Sequence, residues 1–357
     1  METATTGVLC HSWVAAPEAN SLRGVKVLIT GGAGYIGSVT VSALEQAGHE
    51  PVILDSLVTG PRVFVEGRVF YEGDLADREL LARIVDDHPD LAGVIHMGAF
   101  ISVPESVAQP AAYYENNVAK SLVLFEELVR LGIHRVVFSS SASVYAPSTN
   151  LIVTEDSPMA PASPYARTKL MMEQILGDIA VAGGLRGVVL RYFNPIGANP
   201  DLSSGVHARV PSHVLGQLVM AANGMIEAFS LTGTDFETRD GTGLRDYVPV
   251  WDLARAHVAA LERFDQIVDA TVPCRAVNLG TGKGVTVREL ITAFEEVHNA
   301  RVPVREEPRR PGDTAGACAD ISLARELLGW TCETSTAEAI RTALAWDARR
   351  QSVLGYR

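Results

Sequence analysis

The feature that most constrains the fold of this chain is a glycine-rich turn between a short apolar strand and an amphipathic helix. Lys26–Thr30 reads as the strand, and the seven residues after it are Gly31-Gly32-Ala33-Gly34-Tyr35-Ile36-Gly37. Residues without a Cβ let backbone N–H groups approach a pyrophosphate at the positive end of the following helix. The spacing predicts a dinucleotide-binding turn, with cofactor contacts from Gly31, Gly34, Tyr35, Ile36 and Gly37.

Short apolar runs alternate with amphipathic segments as far as residue 191, which is typical of a parallel sheet covered by helices. The predicted strands are Lys26–Thr30, Pro51–Leu54, Val69–Tyr71, Gly93–His96, Arg135–Ser140 and Gly187–Arg191. We expect an α/β fold, a doubly wound Rossmann-like parallel sheet with a smaller mixed C-terminal substrate lobe. The predicted divisions are a flexible extension (1–24), a dinucleotide-binding domain (25–194) and a substrate lobe (195–357). Parts of about 245–280 are expected to pack back on the dinucleotide-binding domain.

Two acidic residues follow strands at positions suited to the adenosine half of a dinucleotide. Asp55 ends the second strand, where a carboxylate accepts both ribose hydroxyls. Ser56 follows it in place of a basic residue, so NAD is favoured over NADP, although Arg62 is close in sequence. Asp74 and Leu75 are placed to reach the adenine. The alternative for Asp74 is that it only caps the next helix.

A tyrosine and a lysine four residues apart carry the candidate chemistry. Tyr165 and Lys169 share one helical face, and Ser163 with Pro164 forms a fitting start for that helix. A tyrosine with a pKa of about 10 is a poor base at neutral pH, so its phenolate needs stabilisation from Lys169 and a positively charged nicotinamide ring. Ser141 closes the fifth strand at the edge where such sheets bind ligands, so its hydroxyl is placed to share the substrate oxygen.

Composition excludes several other functions. The net charge of −12 repels polyanions, which argues against nucleic-acid binding. The sequence lacks an apolar run of the ~20 residues that span a membrane. Because the first twenty residues do not resemble a secretory signal, we expect a cytoplasmic protein. The four cysteines have no metal-ligand spacing, so we predict reduced thiols and no metal site; they are Cys10, Cys274, Cys318 and Cys332.

Several motifs together resemble the extended short-chain dehydrogenase/reductase family. They are the glycine turn, Ser139-Ser140-Ser141, Ser163-Pro164-Tyr165 with Lys169, and Arg191-Tyr192-Phe193-Asn194-Pro195. Within that family, Asp240–Tyr247 and Arg309–Asp313 are similar to the UDP-hexose 4-epimerases. The resemblance, which runs from about Val25 to about Trp346, implies NAD as cofactor and UDP-glucose or UDP-galactose as substrate. The implied reaction inverts the C4 hydroxyl through a transient ketone.

The resemblance implies a role for each matching residue. Tyr165 would be the acid and base at C4, Lys169 would lower its pKa and bind the nicotinamide ribose, and Ser141 would share the proton network. Further positions that match cofactor contacts are Met97, Gly98, Ala99, Asn116 and Phe193. Positions that match contacts to the UDP part are Asn194, Arg245, Tyr247, Arg310 and Asp313. For each arginine alone, the alternative is a solvated surface charge.

The chain departs from the epimerase pattern at three places. Ile101 stands where a lysine or another polar residue is common, Ala208-Arg209 replaces an Asn-Leu pair near the diphosphate, and Thr232 replaces an aromatic residue at the uracil. Arg209 is a candidate phosphate ligand, and its alternative is a solvent-facing side chain.

Three other functions stay open at this stage. An epimerase of a uronic acid or antibiotic-precursor sugar nucleotide differs only in pocket details. A nucleotide-sugar dehydratase shares the fold, but resembling enzymes use an Asp-Glu pair where this chain has Ala142-Ser143. A non-catalytic NAD-binding sensor would not need Ser141, Tyr165 and Lys169 together.

The resemblance also implies an assembly and a breadth of substrate. Resembling epimerases are homodimers that pair through two long helices, here about Ala111–Leu131 and Tyr165–Ala182. The fourth residue past Asp313 lies beside the C2 group of the sugar in such enzymes. That residue is Ala317, preceded by Gly316, so we expect room for 2-N-acetyl sugars. The alternative is that Ala317 only packs beneath a loop.

Overall fold

A computed structural model of the chain describes residues 22–310 and 313–355. Most of the predicted N-terminal extension therefore lies outside the described residues, as do Cys10, Pro311 and Gly312. Within the described ranges, no helix is long and apolar enough to cross a membrane.

The elements follow one another along the chain as the alternating pattern predicts, with shorter pieces in the C-terminal half. The strands are β1 (Lys26–Thr30), β2 (Glu50–Asp55), β3 (Val69–Glu72), β4 (Leu91–His96), β5 (Arg135–Ser141), β6 (Ile152–Val153), β7 (Arg186–Tyr192), β8 (Asn194–Ile196), β9 (Phe229–Thr232), β10 (Leu244–Arg245), β11 (Tyr247–Pro249), β12 (Cys274–Leu279), β13 (Val285–Thr286), β14 (Val304–Glu307) and β15 (Gly316–Ala319). The helices are α1 (Tyr35–Gln46), α2 (Arg78–Asp87), α3 (Val103–Ala108), α4 (Pro110–Tyr114), α5 (Lys120–Arg130), α6 (Pro164–Val181), α7 (Val214–Ala222), α8 (Val250–Glu262), α9 (Phe264–Ile267), α10 (Val287–His298) and α11 (Thr336–Leu354). Short 3₁₀ helices span Arg62–Val65 and Ala142–Val144, and π-helical turns span Glu115–Ala119 and Ala324–Leu328.

The central sheet is parallel, in the order β12-β7-β5-β4-β1-β2-β3. The chain order reverses beside β1, and such a switch point is where open α/β sheets bind ligands at the carboxyl ends of their strands. The predicted α/β fold and its first six strands are confirmed. The seventh, β12, comes from much later in the chain and extends the sheet beside β7.

Side-chain alternation along the strands builds one core on each face of the sheet. Val27 and Ile29 of β1 point towards α1 and α8, whereas Leu28 points towards α2, α5 and α6. Helix α8 follows β11 in the C-terminal half but packs against α1 on the first face. Residues 250–279 thus contribute two helices, α8 and α9, and one strand, β12, to the dinucleotide-binding half.

The C-terminal lobe is made of short sheets and three helices around a third core. Its sheets have the orders β13-β10-β15-β6, β11-β8 and β14-β9, and α7, α10 and α11 cover them. The Tyr35 hydroxyl at the start of α1 donates a 2.7 Å hydrogen bond to the carbonyl of Gly197, just after β8. This bond joins the glycine turn directly to the start of the second lobe.

The glycine turn generates the first prediction, which concerns Gly37. A Cβ built at Gly37 would lie 2.1 Å from the carbonyl oxygen of Gly31, and neither backbone can yield easily. We expect Gly37→Ala to lower the free energy of unfolding by about 1–3 kcal/mol and to deplete the dinucleotide carried through purification. Thermal unfolding and assay of released nucleotide measure the two effects.

The matched control is Gly177→Ala in α6, where a Cβ meets nothing within 4 Å. Alanine is favoured over glycine inside a helix by roughly 0.5–1 kcal/mol. The control should therefore be as stable as the parent or more so. Equal nucleotide content in the two variants would contradict the steric argument.

Candidate active site

The glycine turn brings the ends of β1 and β4 closer together than residues with side chains would allow. Gly31 has a φ of +75°, and a Cβ on it would lie 2.7 Å from the backbone nitrogen of Gly98. Helix α1 begins after Gly34, and among the described residues no side chain caps its first turn. Uncapped N–H groups and the positive helix end are the features that hold a pyrophosphate. The turn therefore fits the dinucleotide that the sequence predicts.

Asp55 lies at the end of β2 with its carboxylate fixed by the backbone. One oxygen accepts the N–H of Ala33 at 2.9 Å and the other accepts the N–H of Leu57 at 2.8 Å. Burial raises the pKa of Asp55, and the two hydrogen bonds oppose that shift. A carboxylate held this rigidly is suited to two ribose hydroxyls.

The neighbours of Asp55 also favour NAD over NADP. Ser56 is exposed, and Arg62 forms an ion pair with Glu72 while its guanidinium lies 5.6 Å from the ring centre of Phe70. Arg62, the basic residue that kept NADP as an alternative cofactor, is thus already paired with a carboxylate. A 2′-phosphate would also meet the charge of Asp55.

The third strand is followed by Asp74 and Leu75, as predicted, but the capping alternative for Asp74 is wrong. Helix α2 is capped by Asp77, whose carboxylate accepts the N–H of Leu80 at 2.9 Å. Asp74 instead forms an ion pair with Lys120 at the start of α5. Leu75 lies against Gly98, since a Cβ on that glycine would be 3.3 Å from the leucine methyls.

A π-helical turn places two asparagines beside the segment that follows β4. Asn116 is half-buried and donates to the side-chain oxygen of Asn117 at 3.0 Å. Asn117 is buried and bonds both backbone groups of Phe100, at 2.8 and 2.9 Å, and the hydroxyl of Thr168 at 3.1 Å. The sequence analysis missed Asn117, although π-turns frequently mark functional sites. Ile101, the departure noted in this segment, is 67% exposed.

Three consecutive serines at the end of β5 have three different partners. Ser139 bonds His257 of α8 at 3.1 Å, and Ser140 donates to Glu173 of α6 on the other face of the sheet. Ser141 lies at the strand end, accepts the hydroxyl proton of Ser143 at 3.0 Å and acts to lower the pKa of Tyr165. Strand alternation places Ser139 and Ser141 on one face, and because Ser139 is buried against His257, Ser141 is the serine left for the ligand side.

Tyr165 and Lys169 lie on the buried face of α6, one helical turn apart. Ser163 caps the helix by accepting the N–H of Ala166 at 3.1 Å, as the sequence predicts. The ammonium group of Lys169 donates to the carbonyl of Ser139 at 2.8 Å and lies 5.1 Å from the ring centre of Phe138. The pair is therefore anchored to the end of β5.

Burial shifts the pKa values of this pair in opposite directions. It lowers the pKa of Lys169 to about 8, with Glu173 opposing the shift. It raises the pKa of Tyr165, and the neighbouring Ser141 hydroxyl acts against that shift. Lys169 was expected to lower the tyrosine pKa, but in the protein alone that effect comes from Ser141. A positive nicotinamide ring would add to it.

The predicted substrate residues of the second lobe lie on β8, β10 and β11. Asn194 of β8 is exposed and pairs in register with Tyr247 of β11. The Tyr247 hydroxyl is buried and has no hydrogen-bond partner among the described residues, and burial raises its pKa to about 12. Buried hydroxyls are rarely left unpaired, so this group suits a ligand contact. Arg245 donates to the carbonyl of Leu244 at 2.7 Å.

Asp246 stands between two predicted substrate residues and holds this region together. Its carboxylate accepts the N–H and hydroxyl of Thr281 at 2.8 and 2.7 Å, and the N–H groups of Gly282 and Ala319 at 3.2 Å each. A Cβ on Gly280 would lie 2.3 Å from this carboxylate. Asp246 thus joins β10, β15 and the loop after β12. The sequence analysis quoted it within a motif but gave it no role.

Ala317 packs against an apolar cluster that includes Val144 and Tyr145, just after β5. It pairs in register with Arg245 and packs with Ala142 and Phe193 around the cluster that includes Tyr145. Ala142, which directly follows Ser141, packs against the same cluster as Ala317. A Cβ on Gly316 would lie 1.7 Å from the carbonyl of Leu244, so residue 316 must be glycine.

The remaining predicted phosphate ligands lie on exposed loops. Arg310 is 70% exposed on its side chain and pairs with Asp313, Nε to carboxylate, at 3.2 Å. Arg309 stacks on Phe236, with its guanidinium 4.1 Å from the ring centre. Arg209 is exposed in the loop before α7. In the protein alone, Arg309 and Arg310 form ion pairs with Asp235 and Asp313.

The switch-point cleft, the glycine turn and the Tyr165–Lys169–Ser141 group define a dinucleotide-binding enzyme of the doubly wound α/β class. A family model described as NAD dependent epimerase/dehydratase matches residues 27–280. The chain belongs to that family. Its resemblance to UDP-hexose 4-epimerases and its predicted cofactor, NAD, are thereby confirmed.

Individual relatives agree over nearly the whole chain. The UDP-glucose 4-epimerase of Azospirillum brasilense is 41% identical over 92% of this chain and 94% of its own. The UDP-glucose-4-epimerase of Stenotrophomonas maltophila, solved with bound NAD and formylated UDP-arabinopyranose, has a TM-score of 0.88 and 38% identity over 92% of this chain and 99% of its own. The UDP-glucose 4-epimerase of Brucella ovis, in complex with NAD, has a TM-score of 0.84 and 40% identity over 90% and 98%.

Proposed function

We propose that this protein is an NAD-dependent UDP-hexose 4-epimerase that interconverts UDP-glucose and UDP-galactose. The observation that carries the proposal is the position of Tyr165 on the buried face of α6, one helical turn from the ammonium of Lys169, which the carbonyl of Ser139 holds at the end of β5 next to Ser141. The relatives named above, similar over nearly their whole length, support the same reaction. All the predicted site residues enter the proposal with the roles that the resemblance implies.

The chain's own residues account for the proton transfers of such a reaction. Tyr165 removes the proton of the C4 hydroxyl and later returns it to the ketone oxygen. Ser141 donates to that same oxygen while the proton is on the tyrosine. Lys169 supplies a positive charge that stabilises the phenolate. Bound NAD supplies a hydride acceptor that takes the C4 hydrogen and gives it back.

Inversion requires the sugar to present its other face while the nucleotide stays bound. The charged candidates, Arg245, Arg310 and Asp313, all lie in the second lobe and suit a diphosphate and a ribose. The sugar end is bordered by small or apolar side chains such as Ala317 and Phe193. Such a site anchors the nucleotide and leaves the ring free to turn.

The structure gives a reason to prefer epimerisation over dehydration. Ala142 packs in an apolar cluster and the hydroxyl of Ser143 bonds that of Ser141 at 3.0 Å. Neither side chain can act as the acid that expels water from a neighbouring carbon.

Sugar nucleotides assayed as a panel, with NMR for the C4 epimer, test the proposal. Loss of water, or reaction only with a uronic acid or a deoxy sugar, would refute it.

The catalytic role of Tyr165 gives the next prediction. Tyr165→Phe should lower turnover by about 10²-fold or more, because a positioned acid and base typically contributes 10²–10⁴. NAD should stay bound through purification in parent and variant alike, since the cofactor is regenerated in every cycle. Kinetics and assay of nucleotide released on denaturation check both statements. A turnover close to that of the parent would overturn the mechanism.

We also propose a homodimer, formed by the helical stretch 110–130 and by α6. Exposed apolar side chains on these helices and the adjoining α3 support it, namely Val103, Val107, Leu122, Val129, Met171 and Val181. Clusters of this kind on a surface mark protein interfaces.

Light scattering of the parent protein should give twice the chain mass. Leu122→Asp should shift the protein towards the monomer, because it places a charge in the proposed interface. Val304→Asp is the control, since Val304 is similarly exposed but lies on β14. A monomeric parent, or equal behaviour of the two variants, would contradict this interface.

A cytoplasmic location is proposed on the state of the cysteines. Cys274, Cys318 and Cys332 are free thiols, as expected where glutathione keeps proteins reduced. Cys10 lies outside the described residues.

The position of Ala317 predicts that the pocket accepts UDP-N-acetylglucosamine as well as UDP-glucose. Ala317→Tyr should lower activity on the acetamido sugar by roughly 10- to 100-fold, because overfilling a packed site costs ~1–3 kcal/mol. Activity on UDP-glucose should be kept. Steady-state kinetics on both substrates measure the ratio. A parent that ignores the acetamido sugar, or equal losses on both, would show that Ala317 does not border the sugar.

A further inference from the structure

A buried ion pair lies directly beneath the catalytic face of α6. The side chains of Glu173 and Arg191 are 7% and 5% exposed. Arg191 Nη2 lies 2.6 Å from one carboxylate oxygen of Glu173, and Nε is 3.1 Å from each of the two oxygens. Neither residue was assigned a function in the sequence analysis.

Glu173 belongs to the same helical face as the catalytic pair. Tyr165, Lys169 and Glu173 are spaced four residues apart, so they form a column along the buried side of α6. The carboxylate of Glu173 accepts the hydroxyl proton of Ser140, the neighbour of Ser141. One side chain therefore binds the catalytic helix to the strand that carries the catalytic serine.

Arg191 extends this connection to the segment after Ser141. It lies on β7, opposite Ser140 in the sheet register. Its Nη1 donates to the Tyr145 hydroxyl and to the carbonyl of Glu155, at 3.0 Å each. Tyr145 in turn donates to Asn278 of β12 at 2.7 Å. The network thus joins α6 to β5, β7 and β12 at their carboxyl ends.

Glu173 is also the carboxylate that acts on the buried charge of Lys169. Among the described residues, His96 of β4 and Glu173 of α6 interact electrostatically with this ammonium. Tyr165 precedes it by one turn of α6, Tyr192 of β7 acts on Tyr165, Arg191 pairs with Glu173, and His257 of α8 bonds Ser139, whose carbonyl accepts from Lys169. Burial lowers the pKa of His96 to about 3 and that of His257 to about 4, so both are neutral near pH 7. Glu173 opposes the effect of burial on Lys169.

Stability alone does not explain such a pair. Taking two charges out of water costs several kcal/mol per ion, and apolar residues of similar volume often serve equally well. An apolar residue at position 173, however, would leave Ser140 without a partner and Lys169 without a nearby negative charge. The pair is suited to fixing geometry and charge at the catalytic site.

We propose that Glu173 is a positioning residue of the epimerase reaction, which holds α6 against the ends of β5 and β7 and balances the buried ammonium of Lys169. This inference rests on the proposed function. Glu173 acts through Lys169, Tyr165 and Ser141 rather than on the substrate. Its geometric role requires its full length, and its electrostatic role requires its charge.

The two roles are separated by two substitutions. Glu173→Gln keeps the length and removes the charge, whereas Glu173→Asp keeps the charge and shortens the side chain. The matched control is Asp347→Asn in α11. It removes a carboxylate from another largely buried ion pair, in which Arg350 Nε lies 2.8 Å from Asp347, far along the chain from the catalytic helix.

The first readout is the titration of Lys169 itself. The chain has only four lysines, Lys26, Lys120, Lys169 and Lys283, so NMR of lysine-labelled protein resolves each one, and Lys169→Met identifies the signal. Lys169 should titrate near pH 8 in the parent. In Glu173→Gln its pKa should fall by about one unit, the lower end of what a nearby opposite charge contributes. In Glu173→Asp and Asp347→Asn it should stay close to the parent value.

The second readout is the pH profile of kcat/KM with UDP-glucose. A charged Lys169 supports activity, so activity falls as pH rises through its pKa, and this alkaline limb should move to lower pH in Glu173→Gln only. Glu173→Asp should lower kcat by about 10- to 100-fold with the limb in place, since small misplacements of catalytic groups have effects of that size. Thermal unfolding should show a loss of stability in all three variants. The alkaline limb of Asp347→Asn should nevertheless stay at the parent pH.

Each outcome decides the matter. An unchanged Lys169 titration and limb in Glu173→Gln would overturn the electrostatic role, and a parent-like kcat in Glu173→Asp would overturn the geometric role. If Glu173→Gln does not fold, the Asp variant and the control still test the geometric role. An inactive parent protein would refute the proposed function instead, and the lysine titration would still report on the charge balance.

Discussion

The structure of this site depends on one buried positive charge. The ammonium of Lys169 is almost fully removed from water, where an unpaired charge is costly. It is kept there by a backbone carbonyl at the end of β5, the face of an aromatic ring and a carboxylate one turn along the same helix. Each of these partners fixes another element in place. The helix, the strand end and the charge are therefore one physical unit.

The parallel sheet makes this unit possible because it brings several strand ends to one edge. β5 carries the serines, β7 carries Arg191 and β12 carries Asn278, and hydrogen bonds run across all three. β12 and α8 come from the C-terminal half of the chain, yet they complete the sheet and cover one of its faces. The return of the chain also places β10 and β15 beside the catalytic edge. Asp246 fixes those strands by accepting four hydrogen bonds.

Local chemistry explains why some elements could be predicted and others could not. The first six strands of the central sheet are continuous apolar runs separated by turn residues, and burial on both faces selects that composition. β12 has a similar composition, but its place beside β7 depends on a crossover of about eighty residues, and no local sequence pattern encodes such a crossover. The helix after β3 begins at Asp77 rather than Asp74, since both acids can cap and only tertiary contacts direct Asp74 to Lys120. Asn117 and Glu173 could not be identified from the sequence, because a single polar residue on a helix does not indicate which side chains it contacts.

The sequence by itself determined the α/β class, the glycine turn that fits a dinucleotide, and the candidate Tyr165–Lys169–Ser141 group. These follow from spacing, because a turn that excludes Cβ atoms and two residues one helical turn apart are local constraints. Only the tertiary structure decided which partner each of the three serines has, and that the Tyr247 hydroxyl has none within residues 22–310 and 313–355. It also decided that Ala317, Ala142 and Phe193 pack against the same apolar cluster. Those outcomes depend on contacts between residues far apart in the chain, where burial sets the charge and hydrogen bonding of each group.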